Sequence, residues 1–546
     1  MSEPAAPNST SSKRMSSFDV SREDIDAYQL SPTVSPDDRD QMVRENFPQF
    51  NDASHQFESE LIDAKKYKEI STSFGEYVQR NDLQMLRIRV PGGRLTLSHA
   101  KVIIDCCHYY GIDQLKISTG QALQLHDVEP HAGRRLILRL HDAGIETFGA
   151  GGDNPNNVTA SPLSGVDDGY FDVQPYAEVA DRFLVQYFGI SPLPRKFKIG
   201  FADGPANETH VSFKDLGYMA NPDGTFDVYA IGGMGFKPLP GILVAEHIDP
   251  RKTLYYLRTM LDLFIQYGNY KQHLRARSRF LQQTMGIDKF RELFDQHLSE
   301  VMYEGGLDIE PAAFVYTKKG DGGAAPDDWR VVRQKQDGLW AVRYHPFGGY
   351  LQTARLEAIC ELAKDSQDAE IRLDPFGGLY VINLASTELQ PMLDATADGA
   401  QNEFESSVAC VGHKRCDIGI AESQDLLGSV VEAVRKKGIK PDVLPRMNIS
   451  GCPSTCGDSA LGKIGWRGMR KKTPDGPRDA FAFMCGGCAT LGHERLAKEQ
   501  CVILADRIPD FLVELALRLE GADTTFDEWF PTHEEDLIDL AKSYAM

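Results

Sequence analysis

No stretch of this sequence reaches the ~18 consecutive apolar residues that a membrane-spanning helix requires. The first residues, MSEPAAPNSTSSKRMSSFDVS, lack the apolar segment of a secretory signal. Cysteine is scarce, ten in 546 residues, too thin a supply for a disulfide scaffold. Those cysteines are therefore expected to be thiols or metal ligands in a reducing, cytoplasmic setting. Positive charge is also short. There are 59 Lys and Arg against 79 Asp and Glu, a formal net charge of -20. Non-specific attraction to nucleic acid or to an anionic membrane is not expected of such a chain. No flavin or nicotinamide fingerprint is evident.

What is present is the composition of a globular protein, 42% hydrophobic and 25% charged. Its length implies about three compact units. Residues 1–45 read as a disordered lead, rich in Ser, Pro, Asn and Asp. Two segments then read as copies of one unit, Met85–Val128 and Trp340–Leu384. Each runs strand, Pro/Gly–Gly turn, amphipathic helix, strand, Gly break, strand. Helical spacing marks Val102, Ile103, Cys106 and Cys107 in one copy and Leu356, Ile359, Cys360 and Ala363 in the other. The duplication predicts a pseudo-twofold α+β fold. Its halves are expected over 46–165 and 336–400, with α/β domains over 166–335 and 401–546. Helices are predicted at Asp288–Val301, at Asp425–Lys437 with a stop at Gly438, and finally near Pro509–Leu519. Lys318–Asp328 reads as a surface loop.

Four cysteines form two close pairs, Cys410-x5-Cys416 and Cys452-x3-Cys456, inside loops rich in Gly, Pro, Ser and Thr. Four thiolates suit a cubane iron–sulfur cluster or tetrahedral zinc, and the five-residue gap disfavours zinc. Backbone N–H groups of such loops can point at cluster sulfurs and tune them. Cys485 and Cys488 make a rival C-x2-C pair, but FMCGGC reads as a strand entering a tight turn.

The order C-x5-C, RMNISGCPSTCG, GKIGW resembles the siroheme-containing sulfite and nitrite reductase family, over roughly Gln49 to Arg507. The resemblance implies two ferredoxin-like halves plus two α/β domains. It also implies a [4Fe–4S] cluster on Cys410, Cys416, Cys452 and Cys456, with Cys456 also ligating siroheme iron.

Cationic stripes sharpen this reading. In Leu86-Arg87-Ile88-Arg89-Val90 the period-2 geometry sends the apolar residues to a core and both arginines to the other face. Lys196 and Lys198 likewise share a face, as do Gln124 and His126. Siroheme carboxylates and an oxyanion substrate both need fixed positive charge. By resemblance Arg87, Lys196 and Lys198 face the substrate. Cofactor contacts are expected at Arg89, Gln121, Gln124, His126, Asn154, Asn156, Asn157 and Asn448. The family's nitrite reductases tend to carry Asn at the second lysine position, so Lys198 favours sulfite.

Several positions depart from the family's pattern. Gly120 stands where its T-x-R-Q stretch has Arg, and Asn156 where its G-D-N-x-R-N segment has Arg. Leu373–Gly378 has no cation between its glycines. A charged hydrogen bond lost from a bound anion costs about 1.5–3 kcal/mol. The expected activity is six-electron reduction of sulfite to sulfide, with electrons from a separate ferredoxin or flavoprotein. Nitrite reduction to ammonia and a non-catalytic siroheme paralogue are the alternatives.

Overall fold

In the computed structural model the described residues are 36–184 and 193–545. Most of the expected N-terminal lead lies outside them, and its last part belongs to a helix, Pro36–Glu58. Four five-stranded sheets organise the molecule. Two of them are the duplicated halves, each of the order predicted from sequence.

The first half-sheet holds Glu76–Val78, Gln84–Ile88, Leu123–Val128 and Gln114–Ile117; the second holds Val331–Arg333, Trp340–Tyr344, Leu379–Leu384 and Glu370–Leu373. The helix of each copy, Leu97–Tyr110 and Thr353–Ala363, packs on its counterpart and buries Ile103, Cys106 and Cys107 or Leu356, Ile359 and Ala363, with Val102 and Cys360 half-buried. Leu86, Ile88 and Val90 are buried, as the alternation required.

The halves also exchange strands. After the Gly–Gly turn of each copy a two- or three-residue strand leaves its own sheet and closes the other. Arg94–Leu95 pairs antiparallel with Glu370–Leu373, and Tyr350–Gln352 with Gln114–Ile117. Gly92 and Gly348 adopt φ 63° and 58° in these turns. That left-handed conformation is readily open only to glycine. Neither half can complete its sheet alone.

The remaining sheets are copies of each other as well. One runs Thr159–Ala160, Ile199–Ala202, Leu216–Ala220, Phe226–Ala230, Ile242–Ile248; the other runs Val408–Ala409, Met447–Ser450, Ile464–Thr473, Gly476–Cys485, Lys498–Leu504. In both, the first three strands are parallel and the last two join antiparallel. Parallel neighbours need a crossover, and helices Gln174–Leu184 and Ser423–Lys437 lie in those connections. The second helix stops at Gly438, φ 66°.

The helix predicted at Asp288–Val301 spans Ile287–Glu304, with Phe290, Phe294 and Val301 buried. Residues 318–328 carry no helix or strand. The helix at Ile508–Gly521 is not the final one: Phe526–Trp529 and Glu534–Tyr544 follow, burying Leu537, Leu540 and Ala541. Four aliphatic residues, Leu537, Ile538, Leu540 and Ala541, stand among many charged ones in the last helix, which hides the periodicity.

One buried acid sits on Glu76–Val78, the edge strand of the first half-sheet. Glu76 is fully buried, accepts a hydrogen bond from Tyr67 at 3.0 Å, and faces Gly133, where a Cβ would stand 2.5 Å from its second oxygen. Burial pushes its carboxyl up to about 8. Between its ordinary value and that one, the unfolded chain has released a proton that the folded chain keeps. Stability therefore falls as pH rises through this window, by a few kcal/mol at most. Glu76→Gln should flatten the fall. Thermal midpoints at pH 5 and pH 8 should lie closer together in the variant than in the parent protein; equal shifts at both pH values would contradict this origin.

Candidate functional site

The two cysteine loops meet because two parallel strands end side by side. Val408 pairs with Asn448 and Ala409 with Ile449. Cys410 follows at once and donates its backbone N–H to Ile449 O at 3.1 Å. Cys452 lies two residues past the end of Met447–Ser450. Crevices beyond the carboxyl ends of parallel strands are where α/β sheets place their ligands.

All ten cysteines are free thiols. Cys416 experiences the charges of Cys456, Cys410 and Cys452 together, and burial is the main force pushing its thiol up to about 11. Gly451 N–H donates to Cys410 Sγ at 3.1 Å, and Ser423 Oγ lies 3.2 Å from the same sulfur. A Cβ at Gly457 would stand 2.2 Å from Ile449 O, so the bend that brings Cys456 back needs glycine. Among the described residues no three His, Cys, Asp or Glu groups converge closely enough for a single metal ion. Four thiols that share one neighbourhood suit a cubane cluster.

Cys456 is exposed by surface area yet lies deep among protein groups, which describes the wall of an internal recess. Burial raises its thiol pKa while Lys196 and Lys198 oppose that rise. Its carbonyl accepts from Thr119 Oγ1 at 3.1 Å, and Thr455 Oγ1 beside it accepts from Gly235 N at 2.8 Å. Asn448 Nδ2 donates to Gly457 O at 2.9 Å, so this expected cofactor contact holds the loop's backbone.

The cations arrive from the Lys196–Ala202 segment and from the loops facing it. Lys196 and Lys198 flank Phe197, which is fully buried. Burial, then the neighbouring Lys198, push the Lys196 ammonium down to about 7. Arg87 Nη1 donates to Ala150 O at 3.1 Å and its guanidinium covers the Tyr77 ring at 5.2 Å, which fixes the fork in place. Arg279 Nη1 is buried and has no hydrogen-bond partner among the described residues. Gly235, next to Arg279, lies against Ser454 of the second cysteine loop. Such a donor set, thiols on one wall and under-committed buried cations on the other, fits an iron–sulfur cluster beside a carboxylate-bearing tetrapyrrole.

Several expected cofactor contacts also make hydrogen bonds within the protein. Arg89 pairs with Asp181 and donates to the carbonyls of Gly149, Pro155 and Asn156. It therefore fixes the 149–156 loop. Gln121 Nε2 donates to Leu373 O at 2.7 Å and Ala160 O at 2.8 Å, fastening the two halves. Asn157 Nδ2 donates to the carbonyls of Val90, Gly120 and Gln121. Asn154 Nδ2 reaches Gly151 O at 2.8 Å. Each is polar and buried, the same signal that a ligand contact would give. Gln124 and His126 do share a face. His126 lies between Gln79 Oε1 at 3.0 Å and Gln124 Oε1 at 3.2 Å, and burial holds it neutral, down to about 3.

Sequence reasoning missed Lys116. It is buried, lies 4.6 Å over the Tyr350 ring of the exchanged strand, and donates to Ala409 O at 3.1 Å, beside Cys410. Burial pushes it down to about 8 while the Cys410 thiol pulls the other way. It also missed Lys214, His210 and Asp458, which burial groups near Lys198. Each lysine is a lone cation in its segment, Lys116 between Leu115 and Ile117 and Lys214 between Phe213 and Asp215, so neither forms a cationic stripe.

Comparison with known proteins agrees with this arrangement. Residues 151–302 match the nitrite and sulphite reductase 4Fe-4S domain. Residues 77–142 and 332–398 each match the nitrite/sulfite reductase ferredoxin-like half domain. The 4Fe-4S match falls on the copy without cysteines. A sulfite reductase [ferredoxin] 2 of Mycolicibacterium paratuberculosis is 24% identical over 83% of this chain and 82% of its own length. A ferredoxin–nitrite reductase of Synechococcus elongatus is 26% identical over 80% of this chain and 86% of its own. The solved structure of the Mycobacterium tuberculosis NirA protein superposes with a TM-score of 0.71 at 23% identity, covering 89% of this chain and 93% of that one.

Cys452→Ser should remove iron, acid-labile sulfide and visible absorption together, whereas Cys485→Ser, in the rival pair, should leave all three near the parent level. Metal analysis and a spectrum of each purified variant check this; loss confined to Cys485→Ser would move the centre to the other pair.

Proposed function

As a member of the nitrite and sulfite reductase family, with siroheme and a [4Fe–4S] cluster as its cofactors, the chain is an oxidoreductase, and we propose that its reaction is the six-electron reduction of sulfite to sulfide. The observation that carries the choice of substrate is Lys198. It shares a face with Lys196 beside Cys456, at the position where the family's nitrite reductases tend to have Asn.

Cys410, Cys416, Cys452 and Cys456 would hold the cluster, and Cys456 would also serve the siroheme iron; when bound, these groups supply single-electron reduction of a ligand. The protein's own part is electrostatic. Arg87, Lys196 and Lys198 present fixed positive charge to the oxyanion and need no reorganisation when charge builds up on it. Reduction removes oxygen as water, and each departing oxygen needs protons. The two lysine ammonium groups can hand protons to oxygens held against them. Arg87 carries five N–H donors, one of them given to Ala150, and orients the anion by its fork. A ferredoxin is the proposed donor, since the relatives named for ferredoxin match over most of the chain.

A second reading, nitrite to ammonia, has support in the similar identity of a nitrite reductase. With reduced methyl viologen as donor, the holoprotein should release sulfide from sulfite. Lys198→Asn should lower that turnover at least tenfold with siroheme retained. Ammonium from nitrite with no sulfide from sulfite would overturn the assignment, and no turnover of either would favour a non-catalytic paralogue.

A further inference from the structure

We propose that Lys214 is a third cation of the oxyanion site and supplies the charge that Asn156 leaves out; the inference rests on the reading that Lys196 and Lys198 bind the substrate anion.

The geometry comes from one strand and its two neighbours. Lys196, Lys198 and Gly200 alternate onto a single face of the extended Lys196–Ala202 segment. A Cβ at Gly200 would lie 3.3 Å from Lys214 Cε and 2.8 Å from Thr159 Oγ1. The absence of a side chain at 200 therefore leaves the place that Lys214 fills, next in the row after Lys198. Lys214 is held there by its own chain: Asp215, the following residue, accepts from Lys198 N at 2.8 Å and donates its N–H to Lys198 O at 3.1 Å. Two residues on, Leu216 pairs with Ile199.

Asn156 occupies the opposite flank of the same segment. Its N–H donates to Phe197 O at 2.7 Å, and Pro155 bridges to Phe197. Its Oδ1 is buried without a hydrogen-bond partner among the described residues, and its amide brings no charge to that flank. The cation absent from one flank of the lysine strand is thus matched by one present on the other.

Lys214 has no protein acceptor to explain its burial. It is 7% exposed, and no hydrogen bond or ion pair of its ammonium occurs among the described residues. The adjacent Asp215 is taken by Arg277 at 2.7 Å, by Ser278 and by the Lys198 amide. The charges that Lys214 faces are Lys198, Asp458, Arg277 and Asp215, and His210 Nδ1 lies 3.8 Å from Asp458. Cations are in excess in that group. An ammonium withdrawn from water without an acceptor is costly, and a bound dianion relieves the cost. A tetrapyrrole carboxylate has the same anionic oxygens, so the experiment must separate the two.

Sulfite affinity of the holoprotein, by calorimetric titration, and siroheme content per chain are measured together for the parent, Lys214→Met, Lys214→Arg and Asn156→Arg/Lys214→Met. Lys214→Met should weaken sulfite binding roughly ten- to hundred-fold with siroheme content unchanged. Lys214→Arg should keep most of the affinity, and adding Asn156→Arg to Lys214→Met should restore it. If siroheme falls while affinity per loaded chain stays the same, the ammonium serves the tetrapyrrole and the proposal is wrong. Unchanged affinity in Lys214→Met overturns it too. Should Lys214→Met not fold, Asn156→Arg alone decides. Less than threefold tighter binding agrees with a charge already supplied, and a tenfold gain contradicts it. Lys196→Met is the control for the underlying reading: if it leaves affinity intact, the substrate assignment of the lysine strand fails first.

Discussion

Two adjacent parallel strands, ending in register at Ala409 and Ile449, are the constraint on which the rest of this structure depends. Their hydrogen bonds fix where Cys410 emerges relative to Cys452, cysteines far apart in sequence. Glycine at 457 turns the second loop back, and Gly451 gives an N–H to the first sulfur. Because the strands form the wall, the thiols are placed by backbone geometry more than by side-chain choice. A site that must hold several sulfurs around one inorganic centre gains pre-organisation from such rigid support.

The strand exchange extends that rigidity to the cations. Arg87 belongs to the first half-sheet, which closes only when Tyr350–Gln352 arrives from the second. Lys116 pairs with Tyr350 in that register and also donates to Ala409 O. One buried lysine thus ties the first half, the exchanged strand and the cysteine-bearing sheet. Gln121 does similar work between Ala160 and Leu373. The acidity of the chain as a whole therefore coexists with a basic interior, because the cations are fixed from several elements at once.

Local order was legible in the sequence; long-range partnership was not. Spacing alone marked the cysteine quartet, and period-2 alternation placed Leu86, Ile88 and Val90 inside with Arg87 opposite. The order of elements in both repeats was readable because Gly–Gly turns and helical faces are local signals. Strands of two or three residues carry no periodicity, so the exchange between halves left no trace. Polarity marked Arg89, Gln121 and Asn157 without showing their partners within the protein, which are Asp181 and backbone carbonyls. Lys214 was invisible for the opposite reason: it becomes notable only when Gly200, on another strand, is seen beneath it. The duplication of the two α/β sheets was equally hidden, since it resides in strand order and direction while the side chains differ.

Cys456 is proposed to serve both the cluster and the siroheme iron. A Mössbauer spectrum of the oxidised holoprotein grown on 57Fe reads this directly. A shared ligand predicts that cluster irons acquire the magnetic hyperfine pattern of the paramagnetic siroheme iron. A cluster spectrum that stays non-magnetic beside a magnetic siroheme would show two separate centres and contradict the account.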